Sequence, residues 1–290
     1  MLSVVVPTRD RPAALRACLE ALGSMEGVEG GFEVVVADDG GTADRGSARA
    51  ALGGGELVIV GTGGRGPAAA RNAAAAAAGG ELLAFIDDDC APLPGWGRAL
   101  QRRHREDPGA LIGGRTVNAL PSNPYSRAAQ AIGDAALAHH NAASPRFFPT
   151  SNLAVPAVRF AELDGFDVSV RRAGGEDRDF CERWVERGWP MLEEPEAVVR
   201  HSHPLGLRSF WRQQAAYGAG AFHHRRARAG RGGSRRLEPS LTSGVAATAA
   251  RRAIRDRDPA RLGLLGVWQA ANLAGFASAA LRSRRGPEAH

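Results

Sequence analysis

A mostly parallel α/β sheet with helices on both faces is the fold class this sequence predicts, and two observations carry the prediction. Short, continuous apolar runs alternate with helix-like segments along the first part of the chain, and this is how strands buried on both faces read. Polar residues gather where those runs end. Open α/β sheets bind ligands there, in the crevice beyond the carboxyl ends of the strands.

The elements follow in order. Leu2 to Val6 (LSVVV) is a first apolar run, which stops at Pro7. Arg11 to Leu22 is helix-like, with Leu15, Leu19 and Leu22 on one face. Phe32 to Ala37 (FEVVVA) is a second strand candidate and Leu57 to Val60 a third, and Gly66 to Ala78 is an alanine-rich helix. Glu81 to Ile86 (ELLAFI) is a fourth apolar run, ending in Asp87, Asp88 and Asp89. Further on, Ala110 to Val117 suits a strand, Ser126 to His140 a helix, Asp179 to Arg187 a helix and Leu192 to Arg200 a strand. The stretch RRARAGRGGSRRLEP (225–239) is rich in Arg and Gly and reads as a flexible linker. No internal repeat is present.

Strand ends supply the candidate site. Thr8 and Arg9 follow the first run, Asp38 and Asp39 the second, and Asp87 to Asp89 the fourth. Three adjacent carboxylates repel one another, and a divalent cation relieves the repulsion, since hard oxygen ligands suit Mg²⁺ or Mn²⁺. Magnesium takes one or two carboxylates and fills its other positions with phosphate oxygens and water, so such a cluster suits a metal–diphosphate complex. A solvated acidic turn or an Asp cap for the next helix is the alternative. Asp38-Asp39-Gly40 fits either a turn or a carboxylate that accepts hydrogen bonds from a nucleobase or ribose. Glu176 and Asp177 follow Gly174-Gly175 and precede a helix. They suit the positive end of the helix dipole or a general base for a hydroxyl. His201 and His203 are two apart on a strand-like run, so they share a face, and one of them could complete a metal shell as a neutral imidazole. The loop GTGGRG (61–66) fits neither GxGxxG nor a P-loop. That leaves Arg71, on the following helix, as the residue for donor phosphate or base contacts.

Composition bounds the rest. The chain has 290 residues and a formal charge of +6, with basic side chains that are nearly all arginine. That balance fits a solvated basic surface or an anionic partner: a nucleotide diphosphate, a phosphorylated acceptor or a membrane surface. No recognised nucleic-acid motif or aromatic-interleaved basic patch is present, so no nucleic-acid partner is expected. Cys18, Cys90 and Cys181 are far apart and form no CxxC pair, so neither a disulfide framework nor a structural zinc site is expected, and a reducing cytosol is. The N-terminus has no basic n-region and no small-residue cleavage site, so no signal peptide is expected. Gly263 to Leu281 carries no charge and lies between Arg261 and Arg282. A spanning helix needs ~20 predominantly apolar residues, and this stretch is mostly Ala and Gly with Gln269, Asn272 and Ser278. It fits best a helix packed on the protein or in a homodimer contact, next a helix in peripheral contact with a membrane, and least a spanning one.

Taken together, the motifs resemble glycosyltransferase family 2, the inverting family with the GT-A fold, over residues 1 to 225. VVVPTRDRP (4–12) looks like its opening strand and nucleotide loop, VVVADDGGTAD (34–44) like its VVDDGSTD segment, and GPAAARNAA (66–74) like its GxxxARNxG helix. FIDDD (85–89) stands where its DxD motif stands, TSNLAV (150–155) resembles a segment near the acceptor, and GGEDRDFCERWVERGW (174–189) resembles its ED motif and following helix. The resemblance implies a GT-A, Rossmann-like domain with a C-terminal helical extension. Its bounds fall at 1–225 (nucleotide-sugar half 1–115, acceptor and catalytic half 116–225), with a linker at 226–240 and the extension at 241–290. It implies donor contacts from Pro7, Thr8, Arg9, Arg71, Asp87 and Asp88, and the base-binding role for Asp39. Asp89 becomes the direct metal ligand, with Asp87, His201 and His203 as further candidates, and the metal is Mn²⁺ or Mg²⁺. Asp177, with Glu176 beside it, becomes the catalytic base, and Ser151, Asn152 and Trp184 the acceptor contacts. The donor implied is a nucleotide diphosphate-sugar, a UDP-sugar first among them, and the acceptor an unnamed hydroxyl. The expected location is cytoplasmic, at the inner face of the membrane if the last helices touch it. The segment Gln213-Gln214-Ala215-Ala216-Tyr217 lacks the Arg-Trp pair of the QxxRW segment in processive synthases. That argues for transfer of a single sugar. A sugar nucleotidyltransferase is the nearest rival, and a nucleic-acid-binding protein or a catalytically silent nucleotide-sugar-binding module the more distant ones.

Overall fold

The structure is a computed structural model that describes residues 1–169, 174–230 and 240–284. Its strands are β1 (Leu2–Thr8), β2 (Phe32–Asp38), β3 (Glu56–Gly61), β4 (Leu82–Phe85), β5 (Cys90–Pro92), β6 (Leu111–Asn118), β7 (Leu153–Pro156) and β8 (Met191–His201). The helices are α1 (Pro12–Gly23), α2 (Arg45–Ala51), α3 (Pro67–Ala77), α4 (Trp96–Glu106), α5 (Pro124–His140), α6 (Ala157–Glu162), α7 (Glu176–Glu186), α8 (Leu207–Gly230), α9 (Ser240–Arg255) and α10 (Pro259–Arg284). Among the described residues the strands form one sheet in the order β3-β2-β1-β4-β7-β6-β8-β5.

The parallel half is the one read from the sequence. β1 pairs in parallel with both β2 and β4, and β2 with β3. Along β1, Leu2, Val4 and Val6 pack into one core and Val5 into the other. Both faces are therefore apolar, and the strand reads as an unbroken hydrophobic run. β1 does not stop at Pro7. It continues to Thr8, because β4 pairs only as far as Val5↔Phe85 and the missing N–H of Pro7 is not needed on that side. Beyond β4 the sheet becomes mixed: β7 runs antiparallel to β4 and β6, β6 is parallel to β8, and β5 closes the edge antiparallel to β8.

α1, α2 and α4 cover one face with Leu15, Leu19, Leu22, Trp96 and Leu100. α3, α6 and α7 cover the other, where Phe85, Phe160, Phe166, Phe180 and Trp184 form a stacked aromatic cluster. Each such side chain, fully buried, stabilises the fold by about 1.5–3 kcal/mol. A third cluster joins α5 to the C-terminal helices through Ile132, Phe210, Val245, Leu265 and Trp268. α8 extends to Gly230, so the first residues of the expected linker are helical. Alternating Arg and Ala favour a helix, and Arg228 pairs with Glu182 of α7 at 2.9 Å. Residues 231–239 of that expected linker lie outside the described residues.

Candidate active site

Every parallel strand delivers a polar residue to the same edge. Thr8 ends β1, Asp38 ends β2, Thr62 follows β3, and Asp87 to Asp89 follow β4. The first α/β unit fixes the loops between them. Asp38 accepts from the backbone N–H of Gly41 and Ala43 at 2.8 and 2.7 Å, which holds the turn after β2 closed. Asp39 then points toward β3. It accepts from the Thr62 hydroxyl at 2.6 Å and from Gly66 N–H at 3.1 Å, and Arg9 lies 3.5 Å from its outer oxygen. The GTGGRG loop is thus docked on Asp39, and Arg9 stays exposed at the crevice mouth.

The aspartate triplet splits into three environments. Asp88 is fully buried, accepts from the Thr8 hydroxyl at 2.7 Å and pairs with Arg11. Burial pushes its carboxyl up to about 6 even though Arg11 and Thr8 work against that rise. Asp89 faces Arg11 at 2.9 Å on one oxygen and His201 Nε2 at 3.2 Å on the other. Burial opposes its charge, but the His201 hydrogen bond and the nearby cations hold it well below the usual carboxylate range. His201 loses from burial and gains more from Asp89, so its pKa is raised. Asp87 turns the other way and accepts from Arg71 at 2.7 Å.

A divalent ion fits these donors. Ligand atoms of Asp89, Cys90 and His201 lie within 4.8 Å of one another, and β5 pairing with β8 sets Cys90 opposite His201. A carboxylate oxygen with an imidazole suits Mn²⁺ and, less well, Mg²⁺. Burial raises the Cys90 thiol well above its ordinary value, so the oxygen and nitrogen donors are the ones available at neutral pH. His203 lies past the end of β8 with its ring 5.1 Å from that of His201, and its Nδ1 faces Gln213 of α8 at 3.3 Å. Of the two histidines, His201 therefore belongs to the cluster.

Arg71 is not an exposed donor contact. It is 5% exposed and bridges Asp87 to Glu176, the latter at 3.1 Å. Glu176 in turn accepts from Gly174 N–H at 2.8 Å. This chain of contacts ties the end of β4 to the start of α7. Gly174 and Gly175 have φ of 120° and 104°, and α8 packs on them through Gly220, where added Cβ atoms would collide. Both glycines are therefore required for this approach rather than being a flexible lead-in. α7 begins at Glu176, not at Asp179, and places Glu176, Asp177 and Asp179 in its first turn, where the dipole favours negative charge. Asp177 is half-buried. Burial and the neighbouring Glu176 push its carboxyl up to about 7.

The expected acceptor residues are buried. Trp184 and Asn152 are fully buried and Ser151 is 9% exposed. The Trp184 indole donates to Pro190 O at 2.9 Å within the aromatic cluster. Asn152 accepts from the Trp96 indole at 2.8 Å and donates to Ala197 O and Arg115 O, so it joins strands beneath the site. Asn152→Ala should cost about 1–3 kcal/mol, because it leaves buried donors and acceptors unpaired. Urea denaturation measures this, and donor affinity should be unchanged. A raised acceptor KM with unchanged stability would contradict this placement. The sequence reading also missed Arg11 as a site residue. Its signal is a second arginine two positions after Arg9 in the loop that leaves β1.

Known proteins share this fold. Residues 3–157 match the family described as Glycosyl transferase family 2, and the chain belongs to that family. This sets aside the nucleotidyltransferase and nucleic-acid-binding readings. The chain is 29% identical over 229 residues to the pre-mycofactocin glycosyltransferase of Mycobacterium tuberculosis, covering 76% of this chain and 46% of that protein. It thus spans about half the length of the curated relatives it matches. Its fold is similar to that of a mannosyltransferase from Pyrobaculum calidifontis in complex with GDP-Man and Mn²⁺, with TM-score 0.69, 19% identity, and coverage of 97% of this chain and 87% of that one. It is also similar to TarS of S. aureus in complex with UDP-GlcNAc, with TM-score 0.54, 14% identity, and coverage of 100% and 93%. The sheet and its helices are a GT-A fold.

Proposed function

We propose that this protein transfers a single sugar from a nucleotide diphosphate-sugar to an acceptor hydroxyl, with inversion at the anomeric carbon and Asp177 as the base. One observation carries the reading. Arg71 holds Asp87, at the donor side of the sheet edge, to Glu176, the neighbour of Asp177. That bridge supports a leaving-group site at Asp87 with Asp177 as the base beside it.

Asp39 and Arg9 would meet the nucleoside, with Asp39 accepting from the base or ribose. Asp89 and His201 would hold a divalent cation, and when bound it supplies the positive charge that stabilises the diphosphate as a leaving group. Asp177 takes the proton from the acceptor hydroxyl as that oxygen attacks from the face opposite the diphosphate. One displacement converts an α-linked donor into a β-linked product. A pre-mycofactocin-type acceptor is the first to test, given the similarity to the curated relatives.

The reading predicts a pH profile. Asp177 must be ionised to accept a proton, and its carboxyl is raised to about 7, so kcat/KM should fall as pH drops through that value. Steady-state rates against pH check this, and a level profile down to about pH 5 would count against Asp177. The stereochemistry is tested by nuclear magnetic resonance on the products of donor turnover. A β-configured product from an α-linked donor supports inversion, and retained configuration refutes the single displacement.

A further inference from the structure

We infer that the face built by α8 and α10 docks on an anionic lipid bilayer. α8, α9 and α10 together carry 11 arginines and no aspartate or glutamate, whereas the rest of the chain has more acidic than basic side chains. Of the 11, Arg228, Arg255 and Arg261 pair with Glu182, Asp256 and Asp258 outside these helices. The positive charge is therefore concentrated in this layer.

α10 is long and apolar enough to span a bilayer, yet only 28% of its most apolar window is buried. One side, with Leu265, Trp268, Ala271 and Ala279, faces the protein. That side is held by close backbone approach: a Cβ on Gly275 would strike Ala215 O of α8, and one on Gly218 would strike Asn272 O. The contact fixes α10 against the fold, so it lies on a surface rather than crossing one. The opposite side presents Leu262, Gly266, Ala270, Leu273, Ala277 and Leu281, interrupted by the polar Gln269, with Leu273 at 71% and Leu281 at 57% exposure. No charge interrupts it between Arg261 and Arg282.

α8 extends this apolar strip and adds the charge. Leu207, Trp211 and Val267 line an open cavity of about 730 Å³ flanked by Arg208 and Arg212. Leu207 is 53% exposed and Trp211 40%. A tryptophan beside arginines, at the margin of an uncharged helical face, is the pattern of a helix lying in the headgroup region. Anionic lipids complement the arginines. A second protein copy would bring the same positive layer against itself, which disfavours self-association through this face. The surface adjoins the crevice, since Gln213 of the same α8 reaches His203.

The test is co-sedimentation of the full chain with vesicles of phosphatidylglycerol and phosphatidylcholine, compared with vesicles of phosphatidylcholine alone. Binding should need the anionic lipid and weaken as salt rises. Arg208→Glu with Arg212→Glu should weaken it about tenfold or more. Leu273→Asp should abolish most of it while circular dichroism and thermal unfolding stay unchanged, because Leu273 packs on little. Sedimentation velocity supplies the other arm. No vesicle binding, equal binding to neutral vesicles, wild-type binding by both variants, or self-association lost in Leu273→Asp without lipid binding would each overturn the inference.

Discussion

Asp177→Asn should lower kcat by about 10²–10⁴, the usual contribution of a positioned base, and leave donor binding intact. The amide has the shape of the carboxyl, and its oxygen can still accept from Arg178 N–H, as the carboxylate does at 2.8 Å. What it loses is the negative charge and with it the basicity needed to take the acceptor proton. Pre-steady-state rates with saturating donor, together with calorimetric donor affinity, separate the two effects. Ordinary turnover by the variant would remove Asp177 from the mechanism. A parallel loss of donor affinity would show that the side chain serves the donor site instead.

Arg71→Met should destabilise the fold by about 3–5 kcal/mol, as breaking a buried ion pair does when one partner is removed. Two carboxylates depend on this guanidinium. Glu176 is 7% exposed on its side chain, so it would be left buried with only the Gly174 N–H. Asp87 would lose its 2.7 Å partner next to Asp88 and Asp89. Arg71→Lys should recover only part of the loss, because an ammonium lacks the planar fork that reaches both carboxylates. Chemical denaturation of the two variants tests this. Wild-type stability in Arg71→Met would mean that the bridge is not formed in solution.

The parallel half of the fold was legible because each strand is buried on both faces. FEVVVA and ELLAFI can scarcely be anything else between turn residues. β8 was also legible, read as Leu192 to Arg200 against Met191–His201, but β5 and β7 were not. Their partners are distant in sequence, and a three-residue strand such as Cys90–Pro92 has no periodicity to read. The acidic strand ends marked the candidate site, because three adjacent carboxylates demand a counter-charge. The sequence does not say which polar residues serve as scaffold. Asn152 and Arg71 look like contacts until Trp96, Ala197 and Glu176, far away in the chain, are seen to occupy them. α8 was not read from the sequence, and the abundance of Arg and Gly suggested a linker over its last residues. Its true support is tertiary, in Glu182 below Arg228 and Phe276 below Arg225.

Calorimetric titration of UDP- and GDP-sugars into the protein, with Mn²⁺ and again with chelator, tests the central claim most directly. The account predicts saturable binding of one nucleotide class that requires the metal and is lost in Asp89→Ala. Metal-independent binding, binding unchanged in Asp89→Ala, or no binding of any donor would contradict it.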